Sequence, residues 1–342
     1  MENTRLLPAT SGLFEAAELI QRGELVAFAT ETVYGLGADA TNPDAVAKIY
    51  AAKGRPGGNP LIVHVPDIAA ARACVAAFPA AAEKLAAAFW PGPLTLVLPR
   101  AAHIAPAVSA GRSTVAVRCP AHPVAQSLLR AVDRPIAAPS ANRSGFTSPT
   151  TAQHVYAELA GRVALILDGG PCAVGLESTV LDLTTTPPTI LRPGAITREM
   201  LEPIIGPVAV FAGHVNLQDA AASPGMHDRH YAPRTPAFRF EAGDFAAVKQ
   251  SAQKMLAAGG LDARRANCVL LTHDPAIALP APHETMLLPA DAARYARTLY
   301  DSLRTADDRN AAAIYILTPP TGDGLWAAIH DRLTRATQPL RK

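Results

Sequence analysis

The sequence predicts an α/β fold in two units, and three observations carry that prediction. Short β-rich runs alternate with helical stretches up to residue 205, the pattern of a sheet covered by helices. Residues 206–236 break the pattern: SPGMHDRHYAPRTP brings Pro, Gly and charge with no sustained apolar period, as a linker does. A second, shorter alternation fills 237–342, and a chain of 342 residues exceeds what one hydrophobic core usually serves. The expected division is therefore 1–205, a linker over 206–236, and a smaller Rossmann-like α/β unit over 237–342.

In the larger unit the expected strands are ELVAFAT (24–30), PLIVHV (60–65), TLVLP (95–99), TVAVR (114–118), PIAAP (135–139), ALILDG (164–169) and STVLDL (178–183). Between them, Asn42 reads as a helix N-cap with Pro43 at the first helical position. An Ala-rich helix should run from Pro79 to Trp90 and stop at Pro91-Gly92. In the smaller unit the strands are expected at FRFEA (238–242), NCVLLTH (267–273), TMLLP (285–289) and 311–319. Helices should fill 244–258, the stretch up to about 304, and the end of the chain from about 323.

Apolar residues make up 49% of the chain and charged residues 18%, ample for packed cores and unlike a disordered protein. A net charge of +2 gives no overall field for nucleic acid or membrane, so any basic site must be local. The four cysteines, Cys74, Cys119, Cys172 and Cys268, form no CxxC pair, which argues against a disulfide framework and a thiolate zinc site. No stretch approaches the ~18 uninterrupted apolar residues of a membrane span, and the N-terminus lacks a signal pattern. The expectation is a soluble cytoplasmic protein with no membrane partner.

Three segments carry chemistry. Thr30-Glu31-Thr32-Val33-Tyr34-Gly35-Leu36-Gly37 follows the first expected strand, and open α/β sheets place ligands at strand C-terminal ends. A strand-to-loop turn in which Gly35 and Gly37 only supply unusual backbone angles explains the same segment. Lys53-Gly54-Arg55-Pro56-Gly57-Gly58-Asn59-Pro60-Leu61 sets two fixed cations in a Gly/Pro-rich loop, where a phosphate fits. A charge-assisted bond to it contributes roughly 1.5–3 kcal/mol. The competing account is a solvated basic helix end facing the helix dipole. Ser140-Ala141-Asn142, with Ser144 and Ser148, crowds short donors at a strand end, though such residues also form ordinary turns.

Arg118 and Arg192 add cations at two further strand ends, so four cationic side chains gather in one unit, as a polyanionic substrate requires. GxxxxGK[ST], GxSxG and HExxH are absent, and His227 and His230 read as linker polar groups rather than metal ligands, so no protein metal site is expected. Catalysis must rest on positioning and electrostatics.

The ordered set TETVYGLG, KGRPGGNPL with His64 close behind, STVAVR, PSAN, GLESTVLD and LRPG resembles the YrdC-type domain of threonylcarbamoyl-AMP synthases. SPGM followed by RHYAP and an α/β tail resembles their long, two-domain form. The resemblance implies a YrdC-like twisted open mixed sheet with flanking helices. It implies synthesis of threonylcarbamoyl-AMP and diphosphate from L-threonine, bicarbonate and ATP. The product would pass to the machinery that modifies adenosine beside the tRNA anticodon; direct tRNA binding is left open.

By the same resemblance Thr32, His64, Arg118, the Ala138 backbone and Ser178 hold threonine. Arg55, Asn59, Thr114, Ser140, Ser148, Arg192 and Tyr231 hold ATP, and Lys53, Arg55 and Asn142 act on phosphate or carbamate. Mg2+ should accompany ATP. Tyr231 lies in a linker motif expected to act as a lid. The departure from the family pattern is His227-Asp228 after Met226, where relatives often carry a lysine and an aromatic.

Two rival functions stand beside this one. A cationic concave surface could bind RNA, although aromatics are only 5% and RNA surfaces interleave exposed aromatics with Lys and Arg. The carbamoyltransferase of hydrogenase maturation has a similar domain, but its CxxC zinc motifs are missing here. Residues 237–342 hold no catalytic constellation and could serve as a docking unit.

Overall fold

The computed structural model describes residues 4–211, 231–258 and 267–340. It divides into two units, one of Met1–Ser144 with Ser148–Asp228 and the other of Gly145–Thr147 with Arg229–Lys342. Among the described residues no helix is long and apolar enough to cross a membrane.

The first unit is built on β1 (Arg5–Pro8), β2 (Val26–Phe28), β3 (Gly35–Asp39), β4 (Ile62–His64), β5 (Leu94–Pro99), β6 (Thr114–Arg118), β7 (Ile136–Ala137), β8 (Leu165–Asp168), β9 (Thr179–Asp182), β10 (Thr189–Arg192) and β11 (Ala209–Val210). They form one mixed sheet ordered β1-β8-β2-β3-β7-β4-β6-β5-β9-β10-β11. Its helices are α1 (Ala9–Gln21), α2 (Pro43–Lys53), α3 (Ile68–Ala73), α4 (Ala80–Phe89), α5 (Pro123–Val132), α6 (Ala152–Leu159) and α7 (Arg198–Ile205).

Local chemistry explains several boundaries. Asn42 caps α2 by accepting from the Asp44 and Ala45 amides, Pro43 opens the helix, and Gly54 closes it at φ 59°. The Ala-rich helix α4 runs from the Pro79 cap to Trp90 as its pattern predicts. GLGAD forms the strand β3, and neither Gly35 nor Gly37 has a positive φ, so the turn reading of this segment does not hold. Its glycines serve close packing: a Cβ on Gly37 would lie 2.8 Å from the Phe28 ring and 2.9 Å from Ile136. The edge strands β1 and β11 escaped the sequence pattern because they are short and half-exposed.

Strand alternation sorts the two faces of the sheet. Val63, Leu96, Val117 and Leu181 enter the main core, whereas their neighbours Ile62, Val97, Ala116 and Val180 form a separate small cluster with Leu191. This second face carries the polar residues described below.

The second unit holds β12 (Ala237–Phe240), β13 (Cys268–Thr272), β14 (Glu284–Leu287), β15 (Ala313–Leu317) and β16 (Gln338–Pro339), ordered β14-β13-β15-β12-β16 with every pair parallel. Helices α8 (Phe245–Ala258), α9 (Ala292–Asp308) and α10 (Leu325–Ala336) accompany the sheet. A parallel sheet must be buried on both faces, which accounts for the continuous apolar runs in CVLLT and AIYIL.

Candidate active site

One transverse row of the first sheet gathers most of the candidate residues. Paired positions run Ile136–His64–Arg118–Thr95–Val180–Arg192 across β7, β4, β6, β5, β9 and β10. Directly paired residues point to the same face, so His64, Arg118, Thr95 and Arg192 share the face floored by the small apolar cluster. Ser178, two residues before Val180, joins them: its Oγ lies 2.7 Å from Thr95 Oγ1 and accepts from Arg192 Nη2 at 3.1 Å. Arg192 Nε also donates to the Ser178 carbonyl at 3.0 Å. Gly194 lets LRPG approach this strand, since a Cβ there would lie 2.4 Å from the Thr179 amide.

Arg118 ties the row to the loop after β2. Its Nη1 donates to Thr32 Oγ1 at 2.9 Å, its Nη2 pairs with Glu31 Oε1 at 2.7 Å, and its Nε donates to the Gly92 carbonyl at 3.4 Å. A guanidinium has five N–H donors, so capacity remains for an incoming carboxylate. The loop is held by Thr30 Oγ1, which donates to the Val33 carbonyl at 2.6 Å and accepts from the Thr32 and Val33 amides. The Val174 amide donates to the Glu31 carbonyl at 2.7 Å. His64 is buried beside Arg118; burial first, then the Arg118 charge, lower its pKa from 6.5 to about 3. It is a neutral imidazole whose Nδ1–H donates to the Ile62 carbonyl at 3.1 Å. Ala138 donates its amide to the Ile62 carbonyl as well.

The KGRPGGNPL loop is not a solvated helix end. Lys53 is 2% exposed and Arg55 7%, as buried as Arg118 and Arg192. Lys53 Nζ donates to the Ser140 carbonyl at 2.5 Å and to the Asn142 carbonyl, and the Ser144 amide donates to the Lys53 carbonyl. Burial, and then the neighbouring Arg55 charge, hold the Lys53 pKa well below the usual lysine value. Arg55 donates from Nη2 to Asn59 Oδ1 at 2.6 Å and to the Pro60 carbonyl at 2.9 Å, which makes Asn59 its brace. The structure thus brings Lys53, Ser140 and Asn142 together, and separately Arg55 and Asn59.

Other candidates are placed as follows. Thr114 is half-buried at the start of β6. Ser148 is buried and donates to Glu177 Oε1 at 2.5 Å. Tyr231 belongs to the second unit, at φ 63°, with its ring stacked on Tyr300 and the Arg332 guanidinium 5.1 Å over it. His227, Asp228 and His230 lie outside the described residues.

Glu31, Thr95 and Glu177 are buried in these networks and were not singled out from sequence. Glu31 and Glu177 carried a signal: each is one acidic residue in a segment otherwise destined for the interior, which requires a cationic or donor partner. Thr95 carried none, because a threonine inside a β run is ordinary. Among the described residues no three His, Cys, Asp or Glu side chains gather as a metal site.

The chain matches two families: the one described as Telomere recombination, covering Sua5, YciO and YrdC, over residues 18–194, and the threonylcarbamoyl-AMP synthase C-terminal domain over 196–338. It is 45% identical over 325 residues to the threonylcarbamoyl-AMP synthase of Bacillus subtilis, covering 94% of this chain and 92% of that one. Identity to the Pyrococcus abyssi threonylcarbamoyl-AMP synthase is 40% over 323 residues, with coverages of 94% and 93%. Among solved structures, P. abyssi Sua5 complexed with L-threonine is similar at a TM-score of 0.87 and 36% identity, covering 99% of this chain and 98% of that one. A double-alanine variant of the same protein reaches 0.88 with 98% coverage of both. The chain belongs to the threonylcarbamoyl-AMP synthase family.

Proposed function

We propose that this member of the threonylcarbamoyl-AMP synthase family condenses L-threonine, bicarbonate and ATP into threonylcarbamoyl-AMP, diphosphate and water. The observation that carries the reading is the row of buried polar groups around Arg118 and Arg192, set on the face that also bears a neutral His64. In the first stage the threonine nitrogen adds to the carbon of bicarbonate and water leaves, giving a carbamate. In the second, a carbamate oxygen attacks the α-phosphorus of ATP and diphosphate departs. Both stages build negative charge, and cations already buried need no solvent reorganisation to meet it.

Arg118, with Thr32 and His64, receives the amino-acid carboxylate. Arg192, Arg55 and Lys53 face the nucleotide phosphates, with Asn59 and Ser178 holding two of those cations in place. Mg2+ would enter with ATP as part of the MgATP substrate, where it would offset the triphosphate charge. The product is a mixed anhydride, so the next step must be acyl transfer to an amine, which the tRNA adenosine supplies. A cytoplasmic setting follows from these substrates.

An RNA-binding role has less support, because a surface that tracks a phosphate backbone needs exposed cations and these four are buried. Diphosphate release from ATP and bicarbonate, with and without threonine, tests the proposal. Release that needs both co-substrates is expected, whereas threonine-independent release overturns it.

A further inference from the structure

Glu31 has one carboxylate oxygen that neither the fold nor the reaction above employs. Its side chain is 10% exposed, and Oε1 pairs with Arg118 Nη2 at 2.7 Å. Both carboxylate oxygens and Arg118 Nη2 are buried with no hydrogen-bond partner among the described residues, so the Oε1 contact is an ion pair by distance alone and Oε2 accepts nothing. A buried carboxylate oxygen without a donor is costly, and a substrate N–H is a donor that would offset that cost. The ionisable neighbours do not provide one. Burial pushes the Cys172 thiol up to about 12 and raises Cys119, while burial lowers His122, so all three favour their neutral forms and Arg118 is the nearby fixed cation.

The position of Oε2 defines what could fill it. An α-amino acid carries its carboxylate and its ammonium on one carbon. A site that grips the carboxylate with a guanidinium therefore needs an anionic acceptor directly beside that guanidinium. Glu31 is ion-paired with Arg118, and its backbone is clamped by Val174 while Thr30 fixes the loop on either side. We propose that Glu31 holds the amino group of the amino-acid substrate, Oε2 accepting an N–H while Oε1 stays on Arg118. A carboxylate accepts from the nitrogen both as ammonium and as neutral amine. The hold therefore survives loss of the proton and leaves the nitrogen lone pair turned away from Glu31, toward the carbon it must attack. The arrangement selects α-amino acids over hydroxy acids and rests on the synthase reading above.

The experiment couples one substitution to one missing atom group. Binding of L-threonine and of 3-hydroxybutanoate, which lacks the amine, is measured by calorimetry on the full chain for wild type, Glu31→Gln and Glu31→Asp, with ATP affinity as the check on folding. Expected is a loss on the order of tenfold to a hundredfold in threonine affinity in Glu31→Gln, with 3-hydroxybutanoate affinity unchanged and partial recovery in Glu31→Asp. Equal losses for both ligands would reduce Glu31 to a prop for Arg118 and overturn the proposal, as would wild-type threonine affinity in Glu31→Gln. Failure of the wild-type chain to bind threonine at all would instead remove the synthase reading.

Discussion

Each unit buries an arginine against a carboxylate, yet the surroundings differ. In the first unit Arg118 is 3% exposed and pairs with Glu31; its other contacts are the small Thr32 hydroxyl and the Gly92 carbonyl at a strand end. In the second unit Arg332 is 0% exposed and pairs with Asp331 at 2.6 Å, and its guanidinium lies over the Tyr231 ring, itself stacked on Tyr300. Asp331 has a second cation, Arg335, at 3.0 Å. Small polar neighbours leave the edge of a guanidinium able to receive an anion, while an aromatic face uses the cation as packing. Burial of a charge therefore does not by itself mark a binding site; what touches the charge does.

Substitutions test this contrast. Arg118→Met leaves Glu31 buried without its cation and should cost about 3–5 kcal/mol in urea unfolding, together with loss of threonine-dependent diphosphate release. Lys53→Met removes the donor shared by the Ser140 and Asn142 carbonyls. Turnover should fall on the order of a hundredfold, with ATP binding weakened in a filter or calorimetric assay. Arg332→Met keeps an apolar stem against Tyr231 and leaves Asp331 with Arg335, so unfolding should change by about 1–3 kcal/mol while KM for threonine stays at the wild-type value. A shifted threonine KM in that variant would erase the distinction between the two arginines.

A further test concerns pH. Because His64 has a folded pKa of about 3 against 6.5 for the ordinary group, the unfolded chain takes up a proton between those values. Its contribution to stability is complete above pH 6.5 and is lost as pH falls toward 3, with a limiting slope of about 1.4 kcal/mol per pH unit. His64→Gln should flatten that slope in denaturation curves measured across the window.

Much of this site was legible because its parts are local motifs. Asn42-Pro43 and Gly54 delimit α2 and so place Lys53 at its end, and TVAVR ends in Arg118 where the strand does. Glu31 and Thr95 were not legible in the same way: their roles depend on Arg118 and Ser178, which lie 87 and 83 positions away in sequence and meet them only through the sheet. The need for glycine at position 37 was hidden for a related reason, since what it avoids is the Phe28 ring and Ile136 on neighbouring strands.

The α/β class, the two alternations and the four cations can be read from short stretches of chain, because apolar period, caps and turn residues act over a few positions. That those cations are buried, that His64 stays neutral and that the Glu31 carboxylate lacks a hydrogen-bond donor emerges with the folded sheet alone. Burial, pairing and pKa depend on which strands become neighbours, and the order β7-β4-β6-β5-β9-β10 is a property of the folded sheet that no short window of residues contains.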